Sequence, residues 1–172
     1  MADKRNIVLT GPSGSGKSTV GILVANALER SFVDMDKELE KRFDCEINDF
    51  FASNGEEAFR DAESELVLEL AAKEGLVIAT GGGVLIRKDN RDALESSSVT
   101  VNLHASVDAL LERLAGHEDR PLLHGNARTK LKALLDERRA LYEAVDIQVD
   151  TEGKDPENVA LEIVAMVEDG AG

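Results

Sequence analysis

Cysteine occurs once, at position 45, proline three times and tryptophan not at all in this chain of 172 residues. A lone Cys45 excludes an internal disulfide and any metal centre built from several thiolates. That usage fits a reducing compartment, and a cytoplasmic protein is expected. No apolar run approaches the roughly eighteen residues of a membrane-spanning helix. Met1-Ala2-Asp3-Lys4-Arg5 leads directly into a strand-like stretch rather than a secretory leader. Positive charge is scarce too: 20 Lys and Arg stand against 34 Asp and Glu, a formal net charge of −14. Nucleic acid and anionic membranes both need a basic face, so neither is expected as a partner. A hydrophobic content of 42% suffices for a core. The length predicts one domain over residues 1–172, expected to act as a monomer.

What the chain does have is Gly11-Pro12-Ser13-Gly14-Ser15-Gly16-Lys17-Ser18-Thr19. The pattern Gly, four residues, Gly-Lys-Ser reads as a phosphate-binding loop when a strand precedes it and a helix follows. Asn6 to Thr10 is a short apolar, β-branched stretch, and Val20, Leu23, Val24 and Leu28 recur at helical spacing after the loop. Glycine permits both the tight turn and the close approach of a polyphosphate. Successive backbone N–H groups then form an anion-binding nest at the positive end of the following helix. Gly14, Ser15, Gly16, Lys17, Ser18 and Thr19 are therefore expected to hold the phosphates of ATP, with Ser18 ligating Mg2+.

A second strand, Ser31 to Asp36, ends in Asp34 and Asp36, and ligands of open α/β sheets bind beyond the carboxyl ends of strands. One carboxylate would serve the metal and the other an acceptor hydroxyl, unless Asp36 merely caps the next helix. Short helices are expected over Lys37–Phe43 and Ile47–Ala52, then a longer one from about Glu56 to Lys73 carrying Arg60 and Glu63 at i, i+3. Roughly forty residues between the second and third strands exceed a plain helical crossover. Leu76 to Thr80 is a buried-type strand, followed by Gly81-Gly82-Gly83, where backbone amides stand bare for a ligand. Lys88–Leu94 is a short helix, Ser98–Leu103 the fourth strand and Ser106–Leu114 another helix. Residues 115–126 lack periodicity and carry Arg120, which suits either a lid or a surface loop. No Cys or carboxylate pattern makes His117 and His124 metal ligands. A helix over Ala127–Tyr142, a fifth strand over Ile147–Asp150 and a helix from Pro156 to Val167 complete the chain.

These elements describe an α/β fold of the P-loop NTPase, nucleoside-monophosphate-kinase-like type. It would be a three-layer sandwich with a five-stranded parallel sheet, an acceptor-binding helical insertion at about 36–63 and a lid at about 115–126. The whole chain resembles shikimate kinase. The resemblance rests on the phosphate loop, Asp34-Met35-Asp36, Gly55-Glu56-Glu57-Ala58-Phe59-Arg60-Asp61-Ala62-Glu63, Gly81-Gly82-Gly83, Arg120-Pro121-Leu122-Leu123 and Arg138-Arg139-Ala140-Leu141-Tyr142.

That resemblance implies phosphoryl transfer from MgATP to the 3-hydroxyl of shikimate. Asp36, Arg60, Gly82 and Arg138 match acceptor-binding positions, Ser18 and Asp34 metal positions, and Lys17 the phosphate contact. Arg120 matches the lid arginine, and Arg113 a position that packs on adenine. Glu63 would steady Arg60. Lys17, Asp36 and Arg120 are then the catalytic set. Ile22, Asp44-Cys45 and Ala140 depart from the family pattern, and Arg139 competes with Arg138 for the acceptor, although spacing to Tyr142 favours Arg138. A kinase for a related carboxylated polyol such as quinate, or a silent nucleotide-binding regulator, stays compatible with the same residues.

Overall fold

In the computed structural model, which describes residues 3–115 and 126–170, a five-stranded parallel sheet runs in the order β2-β3-β1-β4-β5. The strands are β1 Asn6–Thr10, β2 Ser31–Asp34, β3 Leu76–Ala79, β4 Ser98–His104 and β5 Ile147–Asp150. β1 lies at the centre because every one of its residues is buried, a pattern only a strand covered on both faces can use. Alternation along it sorts the two layers. Ile7 and Leu9 pack against α1 (Lys17–Ala27) and α7 (Pro156–Asp169), with Val20, Val24, Val159 and Ile163. Val8 joins the opposite layer of α2 (Met35–Phe43), α3 (Ile47–Ala71) and α4 (Lys88–Ser97). Two further helices, α5 (Val107–Leu114) and α6 (Ala127–Glu143), meet through Leu110, Leu114 and Leu131.

β2 stops at Asp34, two residues short of the expected end, because Met35 already begins α2 and turns its side chain into the core. The two helices expected between positions 47 and 73 form one element with a break. Gly55, at φ 84 and ψ 168, interrupts α3 with backbone geometry that a side chain opposes. The insertion is held by aromatic packing: Phe43 stacks on Phe50 with centroids 3.7 Å apart, and Phe51 lies 4.8 Å from Phe59. Asp44 ends α2 at φ 55, a left-handed position that a short polar side chain tolerates. Among the described residues no helix is long and apolar enough to cross a membrane. The expected lid at about 115–126, with Arg120, His117 and His124, lies outside the described residues apart from Ala115 and Asn126.

Candidate active site

The phosphate loop joins β1 to α1, with Gly11, Gly14 and Gly16 all at positive φ. Nζ of Lys17 folds back and donates to the carbonyls of Gly11 at 2.7 Å and Pro12 at 3.0 Å. Those bonds close the loop into a ring and hold the ammonium where anionic oxygens would meet it. The Ser15 hydroxyl is buried and, among the described residues, has no hydrogen-bond partner. A buried hydroxyl without a partner costs about 1–3 kcal/mol, a cost that a phosphate oxygen would relieve.

Asp34 and Asp36 have separate positions at the end of β2. Asp34 is the residue that caps α2, accepting from the backbone N–H of Lys37 at 3.2 Å. The cap is therefore not Asp36, the alternative raised above, because the helix starts at Met35, two residues before the expected Lys37. The Ser18 hydroxyl donates to Oδ2 of Asp34 at 2.5 Å, which joins both expected metal ligands at the mouth of the loop. Two hard oxygen donors beside the phosphate nest suit Mg2+, which prefers few protein ligands and keeps the rest for phosphate and water. Asp36 instead faces the glycine turn after β3: a β-carbon at Gly81 would lie 2.8 Å from its Oδ1 and 3.2 Å from Oε2 of Glu63.

The same turn receives both expected arginines. A β-carbon at Gly83 would lie 2.5 Å from Nη2 of Arg60, and one at Gly82 would lie 3.3 Å from Nη1 of Arg138. Arg60 is only 8% exposed and donates through Nη1 to Glu63, itself 1% exposed, at 2.8 Å. Its guanidinium carbon also sits 5.2 Å from the Phe59 ring centroid, so the aromatic packing of the insertion helps to hold it. Burial raises the Glu63 carboxyl above its ordinary value. Arg60 opposes the rise most, Asp36 reinforces it, and Arg138 also opposes it. All four charged groups thus feel one another across a single cluster. Nε of Arg60 and Nε of Arg138 are buried and without a hydrogen-bond partner among the described residues.

Arg139 turns the other way, exposed and paired with Asp136 at 2.5 Å, so Arg138 is the one of the pair that meets the glycine turn. Arg113 donates to the Gly14 carbonyl at 3.2 Å and to Thr151 at Oγ1 and O, both at 2.9 Å. It thereby fastens the phosphate loop to the segment after β5. A cavity of about 530 Å3 adjoins the cluster, sharing Pro12 and Tyr142 with it and bordered by His104 and Lys132. Neither Lys17, Asp36 nor Arg60 lines that hollow, so the chemistry is located by converging side chains rather than by the cavity.

The sequence marks Gly81-Gly82-Gly83 as a ligand-facing turn but names Gly82 alone as an acceptor position, whereas Gly81 and Gly83 crowd Asp36 and Arg60 more closely than Gly82 crowds Arg138. Tyr142 was also passed over as a functional group. The signal for Tyr142 was present in its i, i+4 spacing from Arg138, which places both on one helix face.

The family model for shikimate kinase matches residues 13–168. Shikimate kinase 1 of Escherichia coli is 41% identical over 171 residues, covering 98% of this chain and 99% of that protein. Among solved structures, a shikimate kinase from Acinetobacter baumannii in complex with shikimate superposes with a TM-score of 0.92. That pair is 35% identical, with 97% of this chain and 94% of the other covered. A gluconokinase from Sinorhizobium meliloti shares the fold alone, at a TM-score of 0.62 and 21% identity over 99% of this chain and 95% of its own. With a matching loop, acceptor cluster and full-length relatives, this chain belongs to the shikimate kinase family.

Proposed function

We propose that this protein transfers the γ-phosphoryl group of ATP to the 3-hydroxyl of shikimate, giving shikimate 3-phosphate and ADP for aromatic amino-acid biosynthesis. One observation carries the reading. Arg60 and Arg138, 78 positions apart in the chain, converge on Gly82 and Gly83 beside Asp36, and each keeps a buried Nε without a protein partner among the described residues. Two planar guanidinium groups with unused donors fit a carboxylate, which accepts two parallel bonds from such a fork. A polyol without a carboxylate would offer those buried donors no matching pair of oxygens.

With the shikimate carboxylate on the arginines, Asp36 accepts a hydrogen bond from the reacting hydroxyl. That bond orients the nucleophile and gives its proton a destination. The hydroxyl oxygen bonds to the γ-phosphorus while the bond from that phosphorus to ADP breaks. Lys17 and the loop amides hold the phosphates in line, and Arg120 is proposed to neutralise charge on the group in transit. Ser18 and Asp34 would hold Mg2+, which neutralises charge on the phosphates when bound. Arg113 is assigned to the nucleotide side through its hold on Gly14. We assign the protein to the cytoplasm as a monomer, with shikimate and ATP as its partners.

The test is ADP release with shikimate, quinate and gluconate in parallel, with the product identified by phosphorus NMR. Shikimate is expected to be turned over at the highest kcat/KM. Absence of shikimate-dependent turnover in folded protein supplied with magnesium overturns the reading. A preference for quinate moves the assignment to that acid.

A further inference from the structure

We propose that Tyr142 is a positioning residue that joins Arg138 to the Gly82 backbone and so sets where the acceptor carboxylate is held. The inference rests on the acceptor reading above and deepens it.

The Tyr142 hydroxyl donates to the Gly82 carbonyl at 2.6 Å, and a β-carbon at Gly82 would lie 3.3 Å from Nη1 of Arg138 and 3.8 Å from that hydroxyl, so the phenol and the guanidinium meet at the same glycine. A guanidinium can only donate and a carbonyl can only accept, so a hydroxyl set between them serves both by donating to the carbonyl and offering its lone pairs to the guanidinium. A phenol does both. Tyr142 is 7% exposed and packed with Phe59, Val84 and Leu85, so its ring has little freedom and its hydroxyl is delivered to one place. Burial raises the phenol above its ordinary value, which keeps the proton on the oxygen and the donor role toward Gly82 intact.

On either side of Arg138, Leu135 and Leu141 pack α6 against the core layer that also holds Tyr142. At its C-terminal end, Nε2 of Gln148 donates to the carbonyls of Tyr142 and Val145, both at 2.7 Å, so the backbone of Tyr142 is held from β5. Its side chain then reaches across to the turn after β3. Tyr142 thus transmits the position of two strands to one guanidinium, and Arg138 meets the turn on which Arg60 also rests.

The test starts from wild-type protein with established shikimate turnover, which separates failure here from failure of the functional assignment. Tyr142→Phe keeps the ring and removes the bridge. The expected result is a fall of roughly ten- to a hundredfold in kcat/KM for shikimate, carried mainly by KM, with the KM for ATP within about twofold. In an Arg138→Ala background the same substitution is expected to add little, since its effect runs through that arginine. Undiminished loss in that background, or parallel loss of ATP affinity, overturns the proposal. Should Tyr142→Phe fail to fold, the wild-type chain still decides it. Tyr142 is the only tyrosine and the chain has no tryptophan, so tyrosine emission reports this one site. Emission is expected to change on saturation with shikimate, and emission indifferent to shikimate overturns the proposal.

Discussion

Arg60 rests against Gly83 so closely that a β-carbon there would lie 2.5 Å from Nη2, nearer than two such atoms can stand. The guanidinium has no easy retreat, because Glu63 holds Nη1 at 2.8 Å in a buried setting. Gly83→Ala is therefore expected to lower kcat/KM for shikimate by roughly ten- to a hundredfold while leaving ATP binding near wild type. Overpacking should also cost about 1–3 kcal/mol of stability. Steady-state kinetics with each substrate varied, alongside urea unfolding, checks both outcomes.

Asp34 serves two partners, the Lys37 backbone N–H and the Ser18 hydroxyl. Asparagine caps a helix about as well as aspartate but carries no charge for a cation. Asp34→Asn should thus keep stability within about 0.5 kcal/mol while raising the magnesium concentration needed for half-maximal turnover. Asp34→Ala should lose the cap as well, about 1 kcal/mol. Magnesium titrations of rate, compared with thermal melts of the two variants, distinguish the roles.

Glu63 gives the stability a signature in pH. Burial lifts its carboxyl above the ordinary 4.5, so the folded protein retains a proton at pH values where the unfolded chain has released it. The unfolded state then binds fewer protons, and this group's contribution to stability falls as pH rises from about 4.5 through the raised value. Asp3 and Asp136 act in the opposite sense, their carboxyls held below the ordinary 3.8 by Arg5 and Lys132, so their losses come on acidification below that value. Glu63→Gln should remove the descent above pH 4.5 and leave the acid limb in place. Unfolding free energies measured from pH 3 to 8 would show it, and a wild-type curve identical in shape to the variant's would contradict the assignment.

Arg113 is proposed to serve the nucleotide side. Its bonds to Gly14 and Thr151 link the phosphate loop to the end of β5. Arg113→Ala should raise the KM for ATP about tenfold with little change for shikimate, since hydrogen bonds of this kind are each worth about 1 kcal/mol. Calorimetry with ADP and with shikimate separately provides the comparison.

Much of this architecture was readable from residue patterns. β1 and β5 occupy the stretches their apolar character indicated, and the phosphate loop stands between a strand and a helix as its motif requires. The i, i+4 relation to Tyr142 put Arg138 rather than Arg139 on the face toward the glycine turn, where it lies, because helical geometry is local and therefore visible in spacing. Contacts across the fold were not visible. Nothing in Gly81-Gly82-Gly83 says which glycine meets Asp36, Arg138 or Arg60, since that depends on how α2, α3 and α6 pack. The exchange of capping duty from Asp36 to Asp34 had the same origin: Met35 enters the core and starts the helix early. Ile22, where the family often carries arginine, is 46% exposed on α1, and nothing in the structure explains that choice.

β1 and β3 are neighbours in register, Leu9 beside Ala79, and the Thr80 backbone N–H donates to the Leu9 carbonyl at 3.1 Å. The phosphate loop leaves one strand and the glycine turn leaves the next, about 4.8 Å away. On the proposed reading, donor and acceptor are therefore spaced by main-chain pairing, a ruler set by the backbone rather than by side chains. Selection could exchange one acid for another by altering the arginines and Asp36, yet the distance the phosphoryl group must travel would pass unchanged to every descendant.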